Sequence, residues 1–117
     1  LGAILLHLRD PFLALQKAAK LATETIIVTE VDPAYYLNLN SQQLDKSNGP
    51  PQMYFLPDPD NRIQSDTWWA LSPRLVSNFL RILGFSKIDV TYHKQKYVYN
   101  LETPNLIPLF TVVGKRG

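Results

Sequence analysis

The chain has no cysteine among its 117 residues. That excludes a disulfide framework and a thiolate metal site, and it fits a reducing cytosol, so a cytoplasmic location is the expectation. Histidine is nearly as scarce. The two present, His7 and His93, have no partner at metal-ligand spacing, and no metal site is expected. A large excess of charge is missing too: 12 basic against 10 acidic side chains leave a net charge of +2. That is too little to draw the chain onto nucleic acid or an anionic membrane by electrostatics alone. No apolar run approaches the ~18 to 20 residues of a membrane span, so no membrane partner is expected. Five glycines are present and none builds a glycine-rich ligand loop. At 45% hydrophobic and 19% charged, the composition is that of a folded chain rather than a disordered one. Its length allows one domain.

What is present is an alternation of short apolar segments and capped helices. Residues 3–8 are apolar on both alternating sets, with His7 as the polar interruption, as in a central parallel strand covered on both faces. Asp10 then suits a helix N-cap, and Pro11 suits the first helical position, where no N–H is needed. Phe12, Leu15, Ala18, Ala19 and Ala22 make one apolar stripe. Residues 24–31 are rich in β-branched side chains and predict a second strand. From 32 to 66 the pattern breaks into a proline-rich, lid-like loop that still carries Tyr35, Tyr36, Met53, Tyr54 and Phe55. Ser72-Pro73 repeats the helix start, with Leu75, Val76, Phe79, Leu80 and Leu83 as its buried stripe. Gly84 ends that helix in a left-handed cap, with Phe85 packed back on the last turn. Residues 85–92 and 106–114 predict a third and a fourth strand.

This order is that of the second half of a doubly wound α/β domain. The expectation is a partial Rossmann-like α/β sheet of about four strands, the last one antiparallel, with two main helices. The N-terminal half of the domain, which would hold the glycine-rich loop, is missing from this sequence. The whole chain, 1–117, is therefore expected to be the C-terminal portion of one domain in a larger enzyme.

Four motifs carry a resemblance to a family. They are Leu-Leu-His-Leu-Arg-Asp-Pro at 5–11, Thr-Glu-Val at 29–31, Trp68-Trp69-Ala-Leu-Ser-Pro, and Leu83-Gly84-Phe85. In this order they resemble the C-terminal half of class I S-adenosylmethionine-dependent methyltransferases. The subgroup similar to the wobble-uridine tRNA methyltransferases is the nearest in flavour. The resemblance covers nearly the whole chain and implies S-adenosylmethionine as the parent's cofactor. It implies that Gly2, Leu6 and His7, at the end of the family's fourth strand, line the cofactor's methionine and sulfonium region. The loop and acid that hold most of the cofactor in that family are not in this sequence, so the chain alone is expected to be inactive and to bind the cofactor weakly or not at all.

The remaining candidates sit where the predicted strands end, the usual ligand edge of open α/β sheets. His7 faces cofactor or substrate there, or orders the turn through nearby backbone. Glu30 orients a substrate amine or hydroxyl, pairs with Arg9, or is a solvated strand-end charge. Arg9 clamps an anionic group, or forms a surface ion pair. Trp68 and Trp69 form a stacking surface over the substrate, or a staple that packs the loop down; one in the core and one in the pocket is the expectation. Tyr35 and Tyr36 follow the strand edge directly and are pocket candidates. Tyr92, Tyr97 and Tyr99 interleave with Lys94 and Lys96, a pattern of RNA-binding surfaces and of ordinary exposed strands alike. No nucleophile–base pair is evident, which methyl transfer from an activated sulfonium does not require. The methyl acceptor, small molecule or RNA, is not legible. The alternatives to the enzyme are a non-catalytic α/β module and an RNA-binding piece on the same scaffold. A homodimer is expected through the sheet face that the absent half would cover, or through the edge beside residues 3–8.

Overall fold

The computed structural model describes residues 4–33, 50–57, 59–60, 67–97 and 105–117. Both helices start as their sequences dictate. Helix α1 spans Pro11–Leu21, and the Asp10 side chain accepts a hydrogen bond from Leu13 N at 2.9 Å. Helix α2 spans Pro73–Ile82, and Ser72 Oγ accepts from Leu75 N at 3.2 Å. The same oxygen also accepts from Gln52 N at 2.9 Å, so one hydroxyl ties the helix start to a segment twenty residues upstream. Gly84 takes φ +102°, a left-handed value that costs an L side chain, and Phe85 N returns to Leu80 O at 3.0 Å with its ring fully buried.

Among the described residues, five strands form two antiparallel sheets. Strands β1 (Thr25–Val31), β4 (Lys87–Tyr97) and β5 (Asn105–Lys115) make the larger one, in the order β1-β5-β4. The chain's last strand thus slips antiparallel between two strands that run parallel to each other. Strands β2 (Met53–Phe55) and β3 (Trp69–Leu71) make the smaller sheet. Opposite residues fix the faces of the large sheet. Ile26, Gly114 and Ile88 share one row, then Val28, Val112 and Val90, then Glu30, Phe110 and Tyr92. This face packs Leu15 and Ala19 of α1 and Val76 and Leu80 of α2 into one core with Leu5, Leu71 and Phe85. The two helices meet through Phe12 and Phe79, whose ring centroids lie 4.7 Å apart. Gly114 leaves little room: a Cβ there would stand 3.0 Å from Phe85 Cβ and 3.2 Å from Leu80 Cδ1. On the opposite face, Ile27 is 51% exposed beside Thr29, whose hydroxyl meets that of Thr111 at 2.8 Å.

The mixed α/β class, the two helices and the antiparallel last strand are as the sequence indicates. The first element is not. Residues 4–8 form no strand; Leu5–His7 is a single 3-10 turn. Leu5 and Leu6 are apolar because they are buried under β1 and β3, not because they pair in a sheet. The sheet edge expected beside residues 3–8 is therefore the edge of β1. The proline-rich loop falls mostly outside the described residues, as does Ala3, and the part that is described holds β2.

Candidate functional site

The 3-10 turn, the end of β1 and the β2–β3 pair meet at one edge of the large sheet. Glu30 is the centre of this meeting. Its side chain is 1% exposed on the core face, two residues beyond the Ile26–Val28 run of β1. Oε1 accepts from Leu5 N at 2.8 Å, which fastens the turn to the strand. Oε2 is buried and has no hydrogen-bond partner among the described residues. Burial pushes the carboxyl up from 4.5 to about 7; the Leu5 amide, the charge on His7 and the Ile4 amide offset part of that. Neither a solvated charge nor a pair with Arg9 describes this group. Asp32, just beyond the strand, is buried as well, and its N–H reaches Pro108 O at 2.9 Å.

The turn's outer side carries the aromatic residues. Leu6 O accepts from Trp68 N at 2.7 Å, and Arg9 O accepts from Trp69 Nε1 at 3.0 Å. The Arg9 guanidinium lies over the Trp68 ring, 5.0 Å from its centroid, as a cation–π pair rather than an ion pair. Phe55, 59% exposed on β2, lies edge-on to Trp69 at 5.3 Å and tilted to Trp68 at 6.3 Å. Both tryptophans are half-buried; Trp69 packs against the core cluster, and Trp68 carries Arg9 over its ring.

The structure thus brings together Leu6, His7, Arg9, Glu30, Trp68 and Trp69 from three separated stretches of chain. Within that set the roles differ. Leu6 is buried, and its carbonyl accepts from Trp68 N. His7 is exposed at the turn. Gly2, Tyr35 and Tyr36 lie outside the described residues. Phe55 belongs to the aromatic surface and was foreseen only as loop hydrophobicity; its pairing to β3 is not visible in a three-residue strand. Among the described residues no group of three His, Cys, Asp or Glu side chains is placed to hold a metal ion. No described helix is long and apolar enough to cross a membrane.

The arrangement is an aromatic and guanidinium surface outside the turn, with a buried carboxyl behind it. No protein-family model matches the chain, and no curated protein is similar to it. Two solved structures are. The N-terminal domain of EvdMO1 with SAH bound matches 99% of this chain at 22% identity with a TM-score of 0.52. The same domain in the presence of SAH and D-fucose matches 99% at 21% identity, again with a TM-score of 0.52. The chain spans 44% and 46% of those chains, less than half of their length. It therefore shares the fold of part of a domain that has been crystallised with SAH bound.

Proposed function

We propose that this chain is the substrate-side half of a class I S-adenosylmethionine-dependent methyltransferase domain. One observation carries the reading. The turn–β1–β3 edge, with the buried Glu30 behind it, lies in a fold shared with a domain that binds SAH, the demethylated form of that cofactor. The residues fit a cofactor on one side only. His7, exposed on the turn, would meet it, while Leu6 and Glu30 hold the turn in place. The orphaned Oε2 of Glu30 offers an acceptor to a donor from the other side of the cleft. When bound, S-adenosylmethionine supplies an electrophilic methyl on a positive sulfonium. The chain's own part is to orient the acceptor in line with that methyl, which is most of the catalytic task.

For that, the exposed Phe55 ring and the Arg9–Trp68 pair form a surface on which a ring-shaped acceptor can stack. D-fucose in the crystals of the similar domain supports a sugar-bearing small molecule as the acceptor. The order of the four motifs supports the subgroup similar to wobble-uridine tRNA methyltransferases, and with it an RNA acceptor. Labelled-methyl transfer by the full-length protein tests the reading, alongside calorimetric titration of SAH. Micromolar SAH affinity, weakened roughly tenfold by His7→Ala, is the expected result. No saturable binding up to millimolar SAH would leave the chain a non-catalytic module.

A further inference from the structure

Strand β4 is an edge: among the described residues it pairs on one side only, with β5. Beside it an open groove of about 160 Å³, lined by Arg74, Ser77, Asn78, Arg81, Ile88 and Val90, separates it from α2. An eleven-residue edge strand is a standing invitation to pairing unless its side chains forbid it. Here the charge pairs they can make differ from register to register.

A second copy meeting this edge antiparallel, about a two-fold axis normal to the sheet, keeps each face continuous. Opposite residues must then come from the same face, which restricts the axis to passing through a residue. With the axis at Thr91, nine residues of each β4 pair, 87–95. Asp89 stands opposite His93 twice, carboxylate to imidazole. Val90 stands opposite Tyr92 twice, a β-branched side chain against an aromatic one, Lys87 stands opposite Gln95, and Ile88 lies along the stem of Lys94. Thr91 meets Thr91. Thr29, Thr111 and Thr91 already share one row, so the dimer continues a threonine row across six strands.

Neighbouring registers lose these pairs. An axis at Asp89 sets that carboxylate against itself, and one at His93 sets Tyr92 against Lys94. An axis at Val90 sets Ile88 against Tyr92 but shortens the overlap to seven residues and loses the Asp89–His93 pair. An axis at Tyr92 loses both the Asp89–His93 and the Val90–Tyr92 pairs and puts Val90 against Lys94. At the other edge of the sheet, β1 carries no complementary charge: an axis at Val28 would set Glu30 against Ile26.

We infer that the chain forms a two-fold dimer by antiparallel β4–β4 pairing centred on Thr91, which joins the two three-stranded sheets into one of six strands. The partner is a second copy of this chain, and the inference stands whether or not the domain transfers methyl groups. Asp89, Thr91, His93 and Gln95 are all exposed, so substitutions there test the interface without disturbing the core.

Sedimentation of the full-length protein at micromolar concentration should give a dimer. Asp89→Lys, which sets a cation against His93 twice, should raise the dimer dissociation constant at least about tenfold. The swap Asp89→His with His93→Asp should restore it. This stretch contains no cysteine, so Thr91→Cys should cross-link to its own copy under mild oxidation, the two Cα atoms being about 4.5 to 5.5 Å apart. Gln95→Cys should not cross-link, because its copy lies about 26 Å along the strand. A monomer, a dimer indifferent to Asp89→Lys, or equal cross-linking at both cysteines would overturn the inference.

Discussion

A carboxyl that is 1% exposed, with one oxygen on a backbone amide and the other unpartnered among the described residues, is held at a cost. At Glu30 the cost takes the form of a proton retained to about pH 7, against 4.5 for the free group. The sign follows from the protons bound. Between those two values the folded chain holds a proton that the unfolded chain has released, so ionisation opposes folding as pH rises. The stabilising share is complete below about 4.5 and is gone above about 7. The gap is worth on the order of 3 kcal/mol. Urea denaturation at a series of pH values should therefore show the wild-type chain losing about that much between pH 4.5 and 7.5 relative to Glu30→Gln, which cannot ionise. Parallel pH profiles for the two would mean that Glu30 ionises freely in the folded state. In the sequence Glu30 is only an acid near a strand end. Its burial depends on Leu5, 25 positions away, and no local pattern reports that.

At the scale of elements, the best-written parts of the sequence are the helix starts. Asp10-Pro11 and Ser72-Pro73 specify N-caps through short-range hydrogen bonds that need nothing else to form. Gly84-Phe85 specifies the helix stop in the same local way. Residues 4–8 were misleading because a short run apolar at every position fits a buried turn as well as a buried strand. The β2–β3 pair was hidden because three-residue strands are too short to show alternation. Ser72 joins the legible to the illegible: its hydroxyl caps α2 and also receives Gln52 N, next to β2. Ser72→Ala should cost about 1 kcal/mol for the cap, and about 1 kcal/mol more for the stranded Gln52 amide. Chemical denaturation would measure the total. Restoring Thr at 72 should recover most of it, whereas a loss confined to a few tenths of a kcal/mol would show that water replaces the hydroxyl at both amides. Gly114→Ala is expected to cost about 1 to 3 kcal/mol for a different reason: the new Cβ would press on Phe85 and Leu80, two fully buried side chains with no room to retreat.

At the scale of the molecule, the proposed reading makes this chain one half of a cleft. The chain has its own core, drawn from both helices and all three strands of the large sheet. Folding and ligand binding are therefore separable. What the ligand edge presents is a single wall: His7 on a turn, a half-buried indole pair, Arg9 held over Trp68, and Phe55 exposed. No stretch of the described chain supplies the opposing backbone amides that would grip a cofactor's carboxylate or ribose, and the five glycines are spread singly along the sequence. A ligand laid on one wall stays mostly in water, whereas well-formed sites bury roughly 70 to 90% of the ligand surface. It also forfeits the polar contacts that offset its lost translational freedom. Titrating S-adenosylmethionine or SAH into this 117-residue chain by calorimetry should thus give no saturable heat below millimolar concentration, although the chain folds. The full-length protein should saturate in the micromolar range. Micromolar binding by the chain alone would mean that the wall built from the turn, β1 and β3 holds the cofactor unaided.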